Sequence, residues 1–464
     1  MIRTRIAPSP TGKDVHVGTL ATALMNFAWA KKNGGQFIIR IEDTDQSRLV
    51  PGGEEKMIQT LNELGLIADE SPQVGGPYSP YRQSERLPLY KKYAEELVVK
   101  GKAYYCTCTP ERLDSMRKEQ QAKKQITKYD RYCLHSQERV KKEITSGSKY
   151  VIRLLVPPGE ILFQDIVRGE IKVLGEHVED QILLKSDGFP TYHLGVVVDD
   201  YLMKITHVFR GEEWLPSTPK HILLYKALGW GKDIPLFGHV SLLRNPDKSK
   251  LSKRKNPVWA SDYIARGIFP EALLNYLALM GWSHPEGKEK FSLQEYIKVF
   301  DIKDIQTTAP VFDPIKLEWL NGLYIRDMAA DILATKIQEY IGEKYDKRIV
   351  NLSIPLIRER IKKLSDYIPL TEFLFHTPNT FEMSLEKYKS ILTLVAKELE
   401  QVSEFSAEKI GESMMNVAKN SGLKNSEFFQ MVRIAITGKK ISPPLNESME
   451  ILGKVECLKR ILSV

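Results

Sequence analysis

The chain has 464 residues, 42% of them hydrophobic and 27% charged, a balance that excludes both a disordered and a membrane-embedded protein. Lys and Arg outnumber Asp and Glu by 67 to 59, and the net charge of +8 favours a polyanionic partner. No apolar run reaches ~18 residues, and Met1–Pro10 has too short an apolar core for a secretory signal, so a cytoplasmic protein without a membrane partner is expected.

Single hydrophobic cores stop growing at about 250–300 residues, which predicts three to five modules. Residues Arg3 to Ala7 alternate like a short strand, and a stretch rich in Pro and Gly follows. Apolar positions at Leu20, Ala23, Leu24, Phe27 and Ala28 then recur with the helical period. Gly34-Gly35 stops this helix, and Gln36 to Ile41 reads as a buried parallel strand closed by the acidic loop Glu42–Asp45. Such a βαβ unit places its first loop beside a helix N-terminus, whose free N–H groups attract anions. Neither a Walker A sequence nor G-x-G-x-x-G occurs, so P-loop and dinucleotide readings lose their main support.

From about Tyr104 to Lys185 the pattern changes to a Cys-containing segment, a basic, Gln-rich helical stretch (Glu111 to Lys128) and short strands such as Tyr150 to Val156, which together read as an insertion. The α/β pattern returns with Gly195-Val-Val-Val-Asp-Asp200, a strand at Ile205 to Phe209, and a helix from Pro219 to Leu228 that Ser217 or Thr218 would cap. Pro270 opens a helix carrying Leu273, Leu274, Leu277 and Met280, and long amphipathic helical patterns dominate from about Arg326.

Two short segments carry chemistry. Pro8-Ser-Pro-Thr-Gly12 followed by His16-Val-Gly-Thr19 offers small residues that let a nucleotide approach the backbone, with an imidazole donor for phosphate oxygens. Alone, His-x-Gly reads rather as a helix-capping histidine with a packing glycine. Lys250-Leu-Ser-Lys-Arg254 reads alone as a solvated basic loop, or as ammonium groups that neutralise a departing pyrophosphate. Together, in this order and separated by an insertion, they resemble the HIGH and KMSKS signatures of class I aminoacyl-tRNA synthetases. Arg5-Ile-Ala-Pro-Ser-Pro-Thr-Gly12, Arg40-Ile-Glu-Asp-Thr-Asp45, Asp187-Gly-Phe-Pro-Thr-Tyr192, Val197-Val-Asp-Asp200 and Arg210-Gly-Glu-Glu213 narrow the resemblance to the bacterial glutamyl-tRNA synthetases, over essentially the whole length.

The resemblance implies a Rossmann-like α/β catalytic domain split by an inserted α+β domain and followed by a mostly helical anticodon-binding region. Its parts would be residues 1–103 and 187–244 (catalytic), 104–186 (zinc-containing, acceptor-stem-binding), 245–324 (the basic loop and a stem-contact domain) and 325–464 (anticodon-binding). It implies activation of L-glutamate with ATP and Mg²⁺ and transfer to the 3′ end of tRNA-Glu by a monomer. ATP would be bound by Pro8, Thr11, Gly12, His16, Gly18, Thr19, Leu251, Ser252 and Lys253, with His16, Lys250 and Lys253 acting on the phosphates. A glutamate ligand presents one ammonium and two carboxylates, which calls for an acidic group and fixed guanidinium forks. By the resemblance Arg5, Tyr192 and Arg210 hold the side-chain carboxylate and Glu42 and Ser9 serve the α-amino end, with Ala7 also in this pocket. Some family members carry Asn where this chain has Val196, which leaves a polar substrate contact there open.

Cys106-Thr-Cys108 and Cys133-Leu-His135 form C-x-C-x24-C-x-H, four ligands of the right softness for one structural zinc, with incidental buried thiols as the alternative. Arg358-Glu-Arg-Ile-Lys-Lys-Leu364 and Val432–Gly438 resemble helical and closing segments of the anticodon-binding region, which makes Arg358 and Arg360 candidate tRNA contacts. Competing readings are a form that also glutamylates tRNA-Gln, a nucleotidyltransferase that uses no tRNA, and an inactive tRNA-binding relative.

Overall fold

The computed structural model describes residues 1–249, 251 and 257–464. The chain divides into two units, one comprising Met1–Asp262 and Leu274–Asp313 and the other Tyr263–Leu273 and Pro314–Val464.

The first unit opens as the sequence predicts. Strand β1 (Arg3–Ile6) and helix α1 (Val17–Lys32) lead into β2 (Gln36–Ile39), which pairs with β1 in parallel from Arg3↔Gln36 to Ile6↔Ile39. Instead of alternating between core and solvent, β1 is buried along its whole length. Its polar positions stay inside because carboxylates meet them: Arg3 donates to both oxygens of Glu70 at 2.7 and 2.9 Å, and Arg5 donates to Asp200. Helices α2 (Gly53–Glu63) and α3 (Leu87–Val99) follow.

The inserted segment builds an antiparallel sheet from β3 (Ala103–Cys106), β4 (Val151–Leu154) and β7 (Ile182–Leu184), with helices α4 (Pro110–Ala122) and α5 (Gln137–Thr145) between the first two strands. Between β4 and β7 the chain makes a hairpin of β5 (Glu160–Asp165) and β6 (Gly169–Leu174). This hairpin joins a different sheet. After α6 (Tyr192–Leu202), β8 (His207–Gly211) and α7 (Thr218–Leu228), strand β9 (Leu236–Val240) runs parallel to β8 and meets β5 at Asp165↔Phe237, giving the order β6-β5-β9-β8. Thr206, just ahead of β8, donates its N–H to the Arg3 carbonyl at 2.9 Å, which ties this sheet to β1.

The second unit is helical, with one core around Leu333, Ile337, Val350, Ile354 and Tyr367 and another around Leu392, Val395, Met414, Met431 and Cys457. The segment 358–363 is not helical: helix Lys347–Ile357 ends before it, a short 3-10 helix Leu364–Asp366 follows, and the chain turns so that Asn321 donates to the Lys362 carbonyl and Leu364 N–H reaches Gly267. Val432 to Thr437 form the end of helix Asn425–Thr437, which Gly438 closes at φ 76°. Among the described residues no helix is long and apolar enough to cross a membrane.

The β1–β2 pairing depends on Gly35. A Cβ there would lie 2.1 Å from the Ile2 carbonyl oxygen, a backbone atom that cannot swing aside. Gly35→Ala is expected to destabilise the protein by about 1–3 kcal/mol, as overpacking does; thermal unfolding measures it, and an unchanged midpoint contradicts the close approach.

Candidate active site

The carboxyl ends of β1, β2 and β8 and the N-terminus of α1 border a cavity of 520 Å³, of a size suited to small molecules. It brings together Arg5, Ala7, Pro8, Ser9, His16, Gly18, Thr19, Glu42, Tyr192, Arg210 and Leu251, residues scattered over more than half the sequence. Thr11 and Gly12 do not line it. A Cβ on Gly12 would fall 2.2 Å from the Trp259 ring, so this glycine makes room for an indole. Val196 packs in the apolar core and contributes no polar group. Lys250, Ser252 and Lys253 lie outside the described residues.

In the cavity lining, His16 is both things its sequence allowed. It caps α1, with Nδ1 accepting the Gly18 N–H at 3.0 Å, and its ring borders the cavity. A lone pair on Nδ1 fixes the proton on Nε2, so a neutral His16 is a donor suited to an anionic oxygen. The helix N-terminus adds its own positive end.

Two arginines with different company also line the cavity. Asp200, on α6, accepts from Arg5 Nε and Nη2 at 3.2 and 3.0 Å and from Arg40 Nη1 at 2.6 Å. Burial would raise the Asp200 carboxyl, but Arg5 and Arg40 hold it below its usual value. Arg210, on β8, donates instead to His239 Nε2 (3.0 Å), the Tyr192 hydroxyl (2.9 Å) and Thr218 Oγ1 (2.8 Å), and its Nη2 lies 3.3 Å from His221 Nδ1. Burial pushes His221 far below its ordinary value and His193 down to about 3, so both imidazoles are neutral at pH 7. Among the described residues no carboxylate pairs with Arg210, and its charge is available to a ligand.

Glu42 supplies the acidic group, accepting from Arg40 at 3.2 Å. Burial raises its carboxyl to about 7, against the opposing pull of Arg40 and Arg5. Tyr192 lies against Trp214, ring centroids 4.1 Å apart, and burial keeps its phenol protonated. The expected cap of α7 is absent as a side-chain contact. Ser217 makes none, and the Thr218 hydroxyl is turned inward to Arg210.

In the insertion, the thiols of Cys106, Cys108 and Cys133 gather within 4.8 Å of one another, with Cys108 and Cys133 Sγ 3.4 Å apart and no disulfide. Two thiolates on one tetrahedral zinc, each at ~2.3 Å, stand about 3.8 Å apart, so the three sulfurs fit such an ion. His135, on the turn Leu134–Ser136, does not join the group. The Tyr129 hydroxyl does, 3.4 Å from Cys106 Sγ and 3.3 Å from Cys108 Sγ. In the helical unit Arg358 is half-buried and donates to the Met328 carbonyl, whereas Arg360 is exposed.

The residue pattern gave Asp200, His239 and Trp214 no part in the site, and Thr218 only that of a helix cap. Only Asp200 left a signal: an acidic pair directly after three valines needs buried cations.

A split α/β unit with a histidine-capped helix over an arginine-lined cavity and a separate helical unit is the architecture of a class I aminoacyl-tRNA synthetase. Residues 1–319 match the family described as "tRNA synthetases class I (E and Q), catalytic domain", and residues 327–464 match "Anticodon binding domain". Glutamate–tRNA ligases of Acidothermus cellulolyticus and Acinetobacter baumannii are 44% and 46% identical, over 99% and 97% of this chain and 94% and 91% of theirs. The crystal structure of a glutamate tRNA ligase from Elizabethkingia meningosepticum in complex with its amino acid has a TM-score of 0.89 at 36% identity, covering 100% of this chain and 98% of that one. The chain belongs to the glutamate–tRNA ligase family.

Burial pushes the Glu42 carboxyl up to about 7, so if it holds the ammonium group of glutamate, which requires the ionised form, KM for glutamate should fall as pH rises from 6 to 8 and level off above. Glu42→Gln should abolish that dependence and raise KM. A pH-independent KM in the unaltered chain contradicts this role.

Proposed function

We propose that this chain joins L-glutamate to the 3′ end of tRNA-Glu in two steps at the cavity described above. An oxygen of the glutamate α-carboxylate attacks the α-phosphorus of ATP; the bond to the bridging oxygen breaks, and pyrophosphate leaves with its electron pair. A hydroxyl of the terminal ribose then attacks the glutamyl carbonyl carbon, and AMP leaves. The observation that carries this reading is Arg210: a buried guanidinium held only by neutral groups, in the same cavity as the N-terminus of α1.

The groups divide the work by charge. Arg210, with Tyr192 and Arg5, receives the side-chain carboxylate, and Glu42 and Ser9 take the α-ammonium. His16 donates from Nε2 to a phosphate oxygen, and Pro8, Gly18 and Thr19 border the nucleotide. Aminoacyl-tRNA synthetases use ATP with Mg²⁺, which neutralises phosphate charge. Lys250 and Lys253 supply ammonium groups to the departing pyrophosphate. Residues 104–186 hold the acceptor end of the tRNA, 245–324 contact its stem, and 325–464, with Arg360, meet the anticodon.

The purified chain should esterify tRNA-Glu in a glutamate- and ATP-dependent reaction, and a parallel assay with tRNA-Gln decides whether it also charges that tRNA. Lys253→Ala should slow adenylate formation about 100-fold, as loss of a transition-state charge contact does, with little change in glutamate affinity. Equal activation by the variant would remove Lys253 from its assigned place.

One structural zinc is held by Cys106, Cys108 and Cys133. All three are soft donors in or against a small apolar cluster, and a fully protein-ligated ion stabilises the fold without activating water. Sequence spacing names His135 as the fourth ligand, whereas geometry favours the Tyr129 oxygen. Elemental analysis should find one zinc per chain, lost in Cys106→Ser/Cys108→Ser. Loss in Tyr129→Phe with retention in His135→Ala assigns the phenol, the reverse assigns the imidazole, and a zinc-free, active chain overturns the site.

A further inference from the structure

Beyond Arg210, among residues that do not line the cavity, lies a buried chain of hydrogen bonds. His239 and Asp165 are both fully buried. His239 Nε2 accepts the Arg210 Nε–H at 3.0 Å, so that nitrogen carries a lone pair and the proton resides on Nδ1. Nδ1 lies 2.6 Å from Asp165 Oδ2, where its proton is donated. The other carboxylate oxygen, Oδ1, accepts the backbone N–H groups of Val167, Arg168 and His239 at 3.0, 2.9 and 3.3 Å. Every atom of the Asp165 carboxylate is thus committed.

We propose that Asp165 and His239 are positioning residues of the glutamate pocket: Asp165 locks His239 in the Nδ1–H form, and the bare Nε2 aims Arg210 at the substrate carboxylate. The proposal rests on the reading of Arg210 as the glutamate side-chain receptor. An imidazole in the other tautomer would oppose an N–H to the Arg210 Nε–H, and a protonated one would add a like charge. Burial and the charge of Arg210 keep His239 below its ordinary pKa although Asp165 pulls the other way, so the ring is neutral at pH 7. Asp165 belongs to β5, the strand that leaves the insertion to pair with β9, and that single pairing at Asp165↔Phe237 brings the carboxylate under His239. The insertion therefore contributes to amino-acid recognition without touching the amino acid.

Asp165→Asn tests the lock at constant size. The amide oxygen must face the three backbone N–H groups, which turns the NH₂ toward His239 Nδ1 and forces the wrong tautomer; an equivalent change behind a catalytic histidine elsewhere disables the site with its geometry intact. KM for glutamate is expected to rise at least about 10-fold, with KM for ATP and the unfolding midpoint little changed. Glutamine has no tautomers and offers an oxygen in place of Nε2, so D165N/H239Q should have a glutamate KM no higher than H239Q alone. An active D165N enzyme with unchanged glutamate KM, or additive losses in the double variant, overturns the proposal. Failure of the unaltered chain to activate glutamate overturns the functional reading instead. ¹⁵N spectra of histidine-labelled, unaltered protein stand apart from both: they should show His239 protonated on Nδ1 and bare on Nε2, and the opposite tautomer overturns the lock even where no variant folds.

Discussion

The Asp199–Asp200 pair on α6 is the constraint on which the site depends. Neither carboxylate could remain ionised there without cations, because burial strongly disfavours an unpaired charge. Asp200 takes Arg5 from β1 and Arg40 from the end of β2, and Asp199 takes Arg86, Gln83 and Tyr90. One turn of helix thereby fixes the ends of two strands and the start of α3. Side chains satisfy most of the network, with Arg40 Nε left 3.6 Å from Asp199 Oδ2 and without a hydrogen bond, so removing one partner would strand another.

That arrangement explains why two arginines of the same pocket differ. Arg5 lines the cavity already paired with a fixed carboxylate, so it brings less uncompensated charge to a ligand. Arg210 is gripped just as firmly, but by a histidine, a threonine and a tyrosine that bring no charge. A guanidinium fixed by neutral acceptors is pre-organised and still one negative charge short, which is what a site selective for a carboxylate requires. The positive charge costs free energy to bury, and a carboxylate ligand would offset that cost.

Much of this was legible in the sequence, because strands, helices and nucleotide loops obey local rules. The period of α1, the Gly34-Gly35 stop and the parallel β2 follow from residue pattern alone. Thr218 looked like a cap because Ser and Thr usually serve there, but its hydroxyl accepts from Arg210 Nη2 instead. Gly12 looked like room for a nucleotide and is room for Trp259, a partner 247 positions away that no local rule could name. The role of Asp165 was hidden for the same reason: the insertion reads as a separate block, and nothing in its spacing announces that one hairpin returns to the β8–β9 sheet. His135 was named by spacing, yet the turn at 134–136 leaves it out of the thiol group while Tyr129, which has no motif, enters it.

The central claim is that an uncompensated Arg210 selects a carboxylate over its neutral amide. Removing its charge in Arg210→Gln, and comparing glutamate with glutamine in tRNA-supported ATP–pyrophosphate exchange, tests it most directly. Losing one partner of a buried charge pair commonly costs about 2–5 kcal/mol, so the ratio of kcat/KM for the two amino acids should collapse at least ~30-fold, almost wholly through loss of glutamate. A variant that keeps the original preference for glutamate would contradict the account.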